Sequence, residues 1–364
     1  MITRILPVKI KNAWYELQQW RSLAGERRNG PTVALVTVAR NEERFLKEFL
    51  QYHHCLGVSK AYVYLDRCTD RCHEIATAFP FVECQLVDAE ESGCVNVSAL
   101  HRFCSQDALS RCRQAGIEWL LMIDADEFAF ADNVIDKTDV GHGEAKPSVV
   151  ELNRRGYLPT LLKNVPDDIE MVKMKTREVV PTQKGAAGLF WEHRYVQKTP
   201  VSRQILDPRT GEIVILDKFI GHRLGKSFVR TSADVQLYNS HSWTRNQDVS
   251  NPQLLPIPQT HRGFHLHYVI CDAEHWKSKY RQLAWEPSRW ANNTVVPFPK
   301  QCWKEISQTM DDDAVEDYLN QWLFVDEGQL RHMISNNEAE FCNVVEQVLM
   351  HRSEVVLKNL FSRT

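Results

Sequence analysis

The feature that most constrains the fold is an alternation of strand-like and helix-like segments over residues 31–131. Residues 32–39 (TVALVTVA) are apolar, β-branched and uncharged, which is typical of a buried parallel strand. The next segment places apolar residues at helical spacing, with Asn41 positioned to cap its first turn and Gly57 to end it. Further strands are predicted at residues 61–65, 81–87 and 117–123, and further helices at residues 69–78 and 98–115. The order β-α-β-α-β-α-β predicts an α/β fold.

Strands that alternate with helices pair in parallel, and such sheets bind ligands beyond the carboxyl ends of their strands. Three of the four predicted strands end in aspartate. The residues at these ends are Arg40, Asn41 and Glu42, then Asp66 and Arg67, then Asp88, then Asp124 and Asp126. We therefore expect a polar, acidic cleft at this edge of the sheet.

Asp124 and Asp126 are the most informative pair at this edge. In an extended segment alternate side chains share a face, so both carboxylates are expected to meet one cavity. Their repulsion is relieved by a hard divalent cation or by a basic side chain, and the first option suggests Mg²⁺ or Mn²⁺. Such a cation can bind a diphosphate and act as a Lewis acid when a sugar-nucleotide bond breaks. The alternative is a solvated acidic loop, but the apolar residues 119–122 and Phe128 on either side favour a site.

The remainder of the chain is less regular. Residues 132–148 are predicted to form a surface loop, residues 169–240 to add strands that widen the sheet, and the proline-rich residues 251–300 to be largely irregular. A helical pattern begins near Asp311. We therefore divide the chain into an N-terminal helical extension (1–30), an α/β domain (31–300) and a C-terminal helical region (301–364).

Composition excludes several classes of protein. Lysine and arginine number 44 against 47 aspartate and glutamate, so no excess of cations indicates nucleic-acid binding. No window approaches the roughly 18 apolar residues of a membrane span, and no secretory signal is readable, so a cytoplasmic location is expected. The ten cysteines are expected to be reduced. Cys68 and Cys72 lack the two-residue gap of a zinc knuckle, and the thiols are interpreted as small buried side chains.

Four ordered segments resemble the GT-A type glycosyltransferases, particularly the family 2 and family 92-like enzymes. They are VTVARNEERFLKEFLQYHHCLGVSKAYVYLDRCTD, WLLMIDADEF, KSFVRTSADVQLYNSH and FHLHYVICDAEHWKSKYRQ. They span residues 33–282, with a looser match between the second and third. The resemblance implies a GT-A (Rossmann-like) mixed, mostly parallel sheet with helices on both faces. It also implies transfer of a hexosyl or pentosyl unit from a UDP- or GDP-sugar to a glycan or lipid-linked acceptor.

The resemblance also implies roles for individual residues. Asp124 and Asp126 would hold the metal and the donor diphosphate, with His241 or His267 completing the metal site. Lys226 and Arg230 would contact pyrophosphate, although a solvated basic turn is an alternative. The nucleotide pocket would be lined by Thr37, Ala39, Arg40, Asn41, Glu42, Asp66 and Arg67.

The family's inverting reaction needs a carboxylate that deprotonates the acceptor hydroxyl. Glu178 and Glu192 lie where acceptor-side groups are expected, and Asp234 is a third candidate. Each can also be an ordinary surface residue. The weaker match around Glu178 and Glu192 leaves the stereochemistry open.

Two groups of tryptophans have alternative interpretations. Trp243, Trp276, Trp285 and Trp290 can stack on acceptor sugars or pin long loops onto the core, and the structural role is favoured. Trp14 and Trp20, beside several arginines, can contact an anionic membrane surface or pack onto the body of the molecule.

Two other classes compete with a glycosyltransferase. An aspartyl-phosphate phosphatase also places Asp-x-Asp after a strand, but normally after the opening strand, whereas here the pair follows the fourth. A carbohydrate- or nucleotide-binding module without turnover is the non-enzymatic alternative.

Overall fold

The computed structural model describes residues 30–131, 156–198, 202–216, 224–245, 253–255, 259–283 and 299–350, without side chains at 259–262. An eight-stranded sheet forms its centre, with strand order β3-β2-β1-β4-β10-β6-β13-β5. Its strands are β1 (Val33–Ala39), β2 (Val58–Asp66), β3 (Val82–Val87), β4 (Trp119–Met122), β5 (Glu127–Ala131), β6 (Met171–Glu178), β10 (Lys226–Arg230) and β13 (Gln259–His267).

Strand directions show that the sheet is mixed but mostly parallel. Strands β1, β2, β3 and β4 pair in parallel. Strand β10 runs antiparallel to both β4 and β6, and β13 runs parallel to β6. Strand β5 closes the edge antiparallel to β13. Six strands therefore point one way and two point the other, so the carboxyl ends of six strands meet one edge.

Helices cover both faces of the sheet because alternate strand residues enter different cores. Val33 and Leu35 pack on one face with helices α1 (Glu43–Cys55) and α2 (Cys72–Thr77). Ala34 and Val36 pack on the other face with helix α3 (Val97–Gln114). This arrangement confirms the predicted fold class, an α/β fold with a mixed, mostly parallel sheet and helices on both faces.

Smaller elements surround the main sheet. The short helices α4 (Pro159–Leu162) and α5 (Gln183–Ala186) flank β6. Two-stranded ribbons pair β8 (Arg203–Asp207) with β9 (Glu212–Leu216), β11 (Gln236–Asn239) with β12 (Ser242–Thr244), and β7 (Tyr195–Gln197) with β14 (Ala339–Phe341). The predicted widening of the sheet by residues 169–240 is thus correct for β6 and β10, while the other strands of that stretch form ribbons.

The C-terminal part is helical, as the sequence indicates. It contains α7 (Lys300–Thr309), α8 (Asp312–Trp322), α9 (Glu327–Ser335) and a helical stretch at residues 344–350. Asp311 caps α8 by accepting a hydrogen bond from the Ala314 amide. With α6 (Ala273–Gln282), helices α7, α8 and α9 build a third core around Trp276 and Trp303, whereas Val345 and Val348 of the last stretch join the core that contains Val33. Trp243 and Trp276 are fully buried, which supports the structural interpretation of both residues.

One local prediction was wrong, and two elements were missed. Asn41 does not cap α1, since its backbone is left-handed (φ 54°) and its side chain accepts a hydrogen bond from the Thr69 amide. Within residues 251–300, the described part contains two regular elements that the sequence did not predict, β13 and α6. The six prolines of residues 251–300 lie before residue 259 or after residue 286, which leaves a proline-free stretch able to pair within the sheet.

Several predictions fall on residues outside the described ranges. These are the N-terminal extension with Trp14 and Trp20, the loop at residues 132–148, and Trp285 and Trp290. The division into three regions and the membrane contact stay predictions. Within the described part of the chain, no helix combines the length and apolarity that a membrane crossing requires.

Candidate active site

Charged side chains from seven strand ends meet at the carboxyl edge of the sheet. Glu42 follows β1, Asp66 ends β2, Asp124 and Asp126 follow β4, Glu178 ends β6 and His267 ends β13. The two reversed strands add their first residues, Lys226 of β10 and Glu127 of β5, because an antiparallel strand begins where its neighbours end. The topology therefore gathers an acidic and basic cluster at one edge, where α/β sheets bind ligands.

Asp124 is paired with a buried lysine. Lys226 Nζ lies 2.5 Å from Asp124 Oδ2 and 3.2 Å from Glu127 Oε2, and the Lys226 side chain is 0% exposed. Burial alone would lower the pKa of Lys226, but Asp124 and Glu127 raise it above its usual range. Asp124 Oδ1 is buried and has no hydrogen-bond partner. One carboxylate oxygen is thus neutralised while the other is left as a free acceptor.

Asp126 takes part in a second, separate network. Lys279 Nζ lies 2.5 Å from Asp126 Oδ2, and His267 Nε2 lies 3.6 Å from the same oxygen. The other ring nitrogen of His267, Nδ1, is 2.9 Å from Glu178 Oε2. Burial alone would lower the pKa of His267, but Glu178 and Asp126 raise it well above its usual range. His267 is therefore an imidazolium between two carboxylates.

The two aspartates do not share a face through strand alternation, as the sequence suggested. Residues 124–127 form a turn in which the Glu127 amide donates to the Asp124 carbonyl oxygen (3.0 Å). This turn connects β4, in the middle of the sheet, to the edge strand β5. Both carboxylates nevertheless influence Glu42. Burial raises the pKa of Glu42 most, Asp126 and Asp124 raise it further, and Lys279 opposes them, so that the pKa is about 8.

The predicted nucleotide pocket lies along the ends of β1 and β2. Asp66 is buried, and its Oδ1 accepts hydrogen bonds from Arg67 Nε (3.1 Å) and the Ala89 amide (3.1 Å). Arg40 lies 3.7 Å from the other carboxylate oxygen. Thr37 and Ala39 are buried in β1, and the Thr37 hydroxyl has no hydrogen-bond partner. Two arginines and one aspartate thus border the end of this strand pair.

Other predicted site residues lie elsewhere. Arg230 is at the opposite end of β10 from Lys226, about 13 Å along the strand, and it donates to the carbonyl oxygens of Val165, Pro166 and Ile169. Asp234 is exposed just beyond that end.

His241 lies close to the cluster but bonds to a backbone group and not to the carboxylates. Its Nδ1 donates to the Gly225 carbonyl oxygen (2.9 Å), one residue before Lys226. Glu192 is exposed on a short 3-10 helix, Phe190–Glu192. Glu178 is therefore the candidate base that the structure brings to the carboxylate cluster.

Three residues of the cluster were not identified from the sequence. Glu127 contacts Lys226 and lies 3.4 Å from His265 Nε2, and both side chains are almost fully buried. Lys279 comes from α6, far along the chain from its partner Asp126. The only available signal was their place within the DADEF, FHLHY and KSKYRQ segments of the resemblance.

The donor chemistry of the cluster fits a hard divalent cation. Carboxylate oxygens are the preferred ligands of Mg²⁺ and Mn²⁺, and Asp124 Oδ1 is a buried acceptor without a partner. Within the described residues, Asp124 and Asp126 do not form a preassembled three-ligand group, since such a group occurs only at Cys68, Asp70 and Cys72. This is compatible with Mg²⁺, which is usually held by one or two carboxylates together with substrate phosphates.

A cavity of about 520 Å³ lies away from this cluster. Arg203, Gln329, His332 and Glu338 are among its lining residues. It borders the C-terminal helices and includes no predicted site residue. The charge and burial of the strand ends, and not cavity size, therefore identify the candidate site.

Comparisons with known proteins reveal fold-level likeness only. No protein-family model and no curated protein matches the chain. Glucosyl-3-phosphoglycerate synthase from Mycobacterium tuberculosis, in complex with phosphoglyceric acid, is similar at 20% identity over 44% of this chain and 48% of that chain, with a TM-score of 0.24. The same enzyme with Mn²⁺, uridine diphosphate and glucosyl-3-phosphoglycerate is similar at 17% identity over 59% and 61%, with a TM-score of 0.26.

HddC from Yersinia pseudotuberculosis is similar at 9% identity over 67% of this chain and 96% of that chain, with a TM-score of 0.31. The chain spans about half the length of the first of these structures. Likeness at this level carries no information about ligands, so function is derived below from the site itself.

Proposed function

We propose that the protein is a glycosyltransferase that uses a nucleotide-sugar donor and a divalent cation, Mn²⁺ or Mg²⁺. The donor is a UDP- or GDP-sugar, and the acceptor is a hydroxyl of a glycan or lipid-linked saccharide. The observation that carries the proposal is the carboxylate cluster at the ligand-binding edge of the sheet, with Asp124 Oδ1 buried and without a partner. Buried acceptors without a partner are rare in folded proteins, and a cation or a hydrogen-bond donor of a ligand would satisfy this one.

Asp124 and Asp126 are the residues that would hold the cation together with the donor diphosphate. When bound, the cation supplies Lewis-acid stabilisation of the leaving nucleoside diphosphate. Lys226 and Lys279 place two ammonium groups beside these carboxylates, and ammonium groups also bind phosphate oxygens. Arg40 and Asp66, at the ends of β1 and β2, are proposed to orient the nucleoside.

Glu178 is proposed as the base that accepts the proton of the acceptor hydroxyl. It is buried at the cluster, and its Oε2 lies 2.9 Å from His267 Nδ1. Glu192 and Asp234 are exposed, which weakens their candidacy. A base opposite the leaving group gives inversion at the anomeric carbon, so the proposed transfer is inverting.

Release of nucleoside diphosphate from a panel of UDP- and GDP-sugars with Mn²⁺ tests the proposal. We expect release by the unmodified chain and its loss in Asp124→Asn. Glu118→Gln is the matched control, because Glu118 is exposed beside the opposite end of β4. Glu178→Gln is expected to abolish release while nucleotide binding persists. Equal release by Asp124→Asn and the control would contradict the proposal.

One observation favours a binding module of the same fold as a second candidate. Asp126 and Glu178 are already neutralised by Lys279 and His267, which is an arrangement that also serves a static binding site. Such a module would bind nucleotide sugars with Mn²⁺ and release no nucleoside diphosphate. The same assay therefore separates the two candidates.

A further inference from the structure

The loop between β2 and α2, together with the first residue of α2, carries a second group of metal-ligating side chains. Cys68, Asp70 and Cys72 each offer one ligand atom, and these three atoms lie within 4.8 Å of one another. The sequence spacing of the two cysteines does not match a zinc knuckle. The fold adds Asp70 between them, because residues 67–72 curl back against the loop that follows β1.

Backbone amides hold the ligand atoms of this group in place. The Asn41 amide donates to Cys68 Sγ (3.3 Å), and the Glu43 amide donates to Asp70 Oδ2 (2.9 Å). The Cys72 amide donates to Asp70 Oδ1 (3.1 Å), and the Cys72 thiol lies 3.3 Å from Asp70 Oδ2. At metal sites, hydrogen bonds of this kind orient the side chains that bind the metal directly.

Side chains clamp the same two loops together. Asn41 Oδ1 accepts from the Thr69 amide (2.7 Å), and Glu43 Oε2 accepts from the Arg71 amide (2.9 Å). Asn41 and Arg67 adopt left-handed backbone conformations (φ 54° and 49°), which asparagine tolerates but which are costly for arginine. The loop pair is therefore a fixed arrangement that positions the three side chains.

The donor set selects a particular class of ion. Two thiolates and one carboxylate suit Zn²⁺ and chemically similar ions in tetrahedral geometry, whereas Mg²⁺ and Mn²⁺ prefer oxygen ligands alone. Cys72 is buried, while Cys68 and Asp70 are partly exposed. Three protein ligands leave the fourth tetrahedral position for a water molecule reached from the exposed side.

We propose that Cys68, Asp70 and Cys72 form a site for one zinc-class ion that cross-links the segment after β2, where this segment packs against the loop after β1. Binding displaces the two thiol protons to solvent and forms two metal–sulfur bonds and one metal–oxygen bond, with no change of oxidation state. The site is distinct from Asp124 and Asp126 in ligands and in metal class. It does not depend on the proposed transferase activity.

Cobalt titration of the reduced, chelator-treated full chain tests the proposal. We expect thiolate-to-cobalt charge-transfer absorption and visible bands of tetrahedral Co²⁺, saturating at one equivalent and abolished by Zn²⁺ but not by excess Mg²⁺. Cys68→Ser should lose most of the charge-transfer absorption. Asp70→Asn should retain it with affinity reduced at least about tenfold, since even an outer partner contributes about 10–100-fold.

Two variants serve as controls. Cys55→Ser removes a partly buried thiol at the end of α1 and should leave the spectrum unchanged. Asp124→Asn should also leave it unchanged, which keeps this test separate from that of the proposed function. Absence of the charge-transfer band in the unmodified chain, or its persistence in Cys68→Ser, would overturn the proposal. So would a Cys68–Cys72 disulfide whose reduction yields no metal uptake.

Discussion

Replacement of Lys226 by methionine gives the sharpest energetic test of the carboxylate cluster. The Lys226 side chain is 0% exposed and Glu127 is 1% exposed, so removal of the ammonium leaves Glu127 as a buried carboxylate beside His265 and the Asp124 backbone amide. Breaking a buried ion pair in this way costs about 3–5 kcal/mol. Asp124 is 32% exposed and can be hydrated, so it adds little to this cost.

The loss of stability should depend on pH in a defined direction. Burial alone would raise the pKa of Glu127, and Lys226 and His265 hold it well below its usual range. Without Lys226 the burial effect dominates, and the folded-state pKa of Glu127 rises above the value of the unfolded chain. Protonation of Glu127 at low pH then removes the cost of burying an unpaired carboxylate. The deficit should therefore be largest at pH 8 and smaller at pH 5.

Urea unfolding followed by tryptophan fluorescence measures this loss in the free energy of unfolding. The loss is calculated from the shift of the urea midpoint, provided that the variants have the same m-value. Lys198→Met is the matched control, because Lys198 is 34% exposed and its pair with Glu340 is partly exposed, so a loss of at most about 1 kcal/mol is expected. The double variant Lys226→Met/Glu127→Gln removes both buried charges and should recover about half of the loss. A deficit no larger than that of the control, or no recovery in the double variant, would refute this reasoning.

Three further predictions concern groups outside the central pair. His53 donates from Nδ1 to the Phe49 carbonyl oxygen and accepts a hydrogen bond from the Ala129 amide at Nε2. Burial lowers the pKa of His53 to about 4, so between pH 6.5 and about 4 this histidine is protonated in the unfolded chain but not in the folded one. Urea titrations across this range should show the unmodified chain losing about 3 kcal/mol relative to His53→Gln as pH falls, and equal pH profiles would contradict this. Arg230→Ala should lower the thermal midpoint but leave nucleotide affinity unchanged in calorimetry, since the Arg230 guanidinium donates to backbone carbonyl oxygens at the far end of β10. Weakened nucleotide binding would contradict that placement. Trp276→Ala should cost about 3–5 kcal/mol in urea unfolding because the side chain is fully buried in the third core, and a loss below 1 kcal/mol would count against that packing.

The parallel half of the sheet was predictable because its signals are local. Strand β1 is an uncharged β-branched run and helix α1 repeats apolar residues at helical spacing, and the structure has both within one or two residues of the predicted bounds. Strand β13 was missed because the prolines on either side dominate the composition of its region. Its place in the centre of the sheet depends on pairing with β6 and β5, which no local pattern encodes.

The acidic edge was predictable from strand ends, whereas its charge balance was not. Asp124 and Asp126 follow a strand, so the sheet rule places them at the edge without knowledge of the fold. Lys279 lies 153 residues from Asp126, and only the packing of α6 against the edge brings the two together. Lys226 was identified as a cation, but its pairing with Asp124 requires β10 to be antiparallel to β4. The sequence did not reveal that β10 and β5 run antiparallel to their neighbours, and this direction brings Lys226 and Glu127 to the acidic edge.

Calorimetric titration of UDP and GDP in the presence and absence of Mn²⁺ tests the central claim most directly. The account predicts that the unmodified chain and Glu118→Gln bind one of these nucleotides only when Mn²⁺ is present, and that Asp124→Asn does not bind it. Binding that is equally tight without Mn²⁺, or unchanged in Asp124→Asn, would contradict the claim that this edge holds a nucleoside diphosphate through a divalent cation.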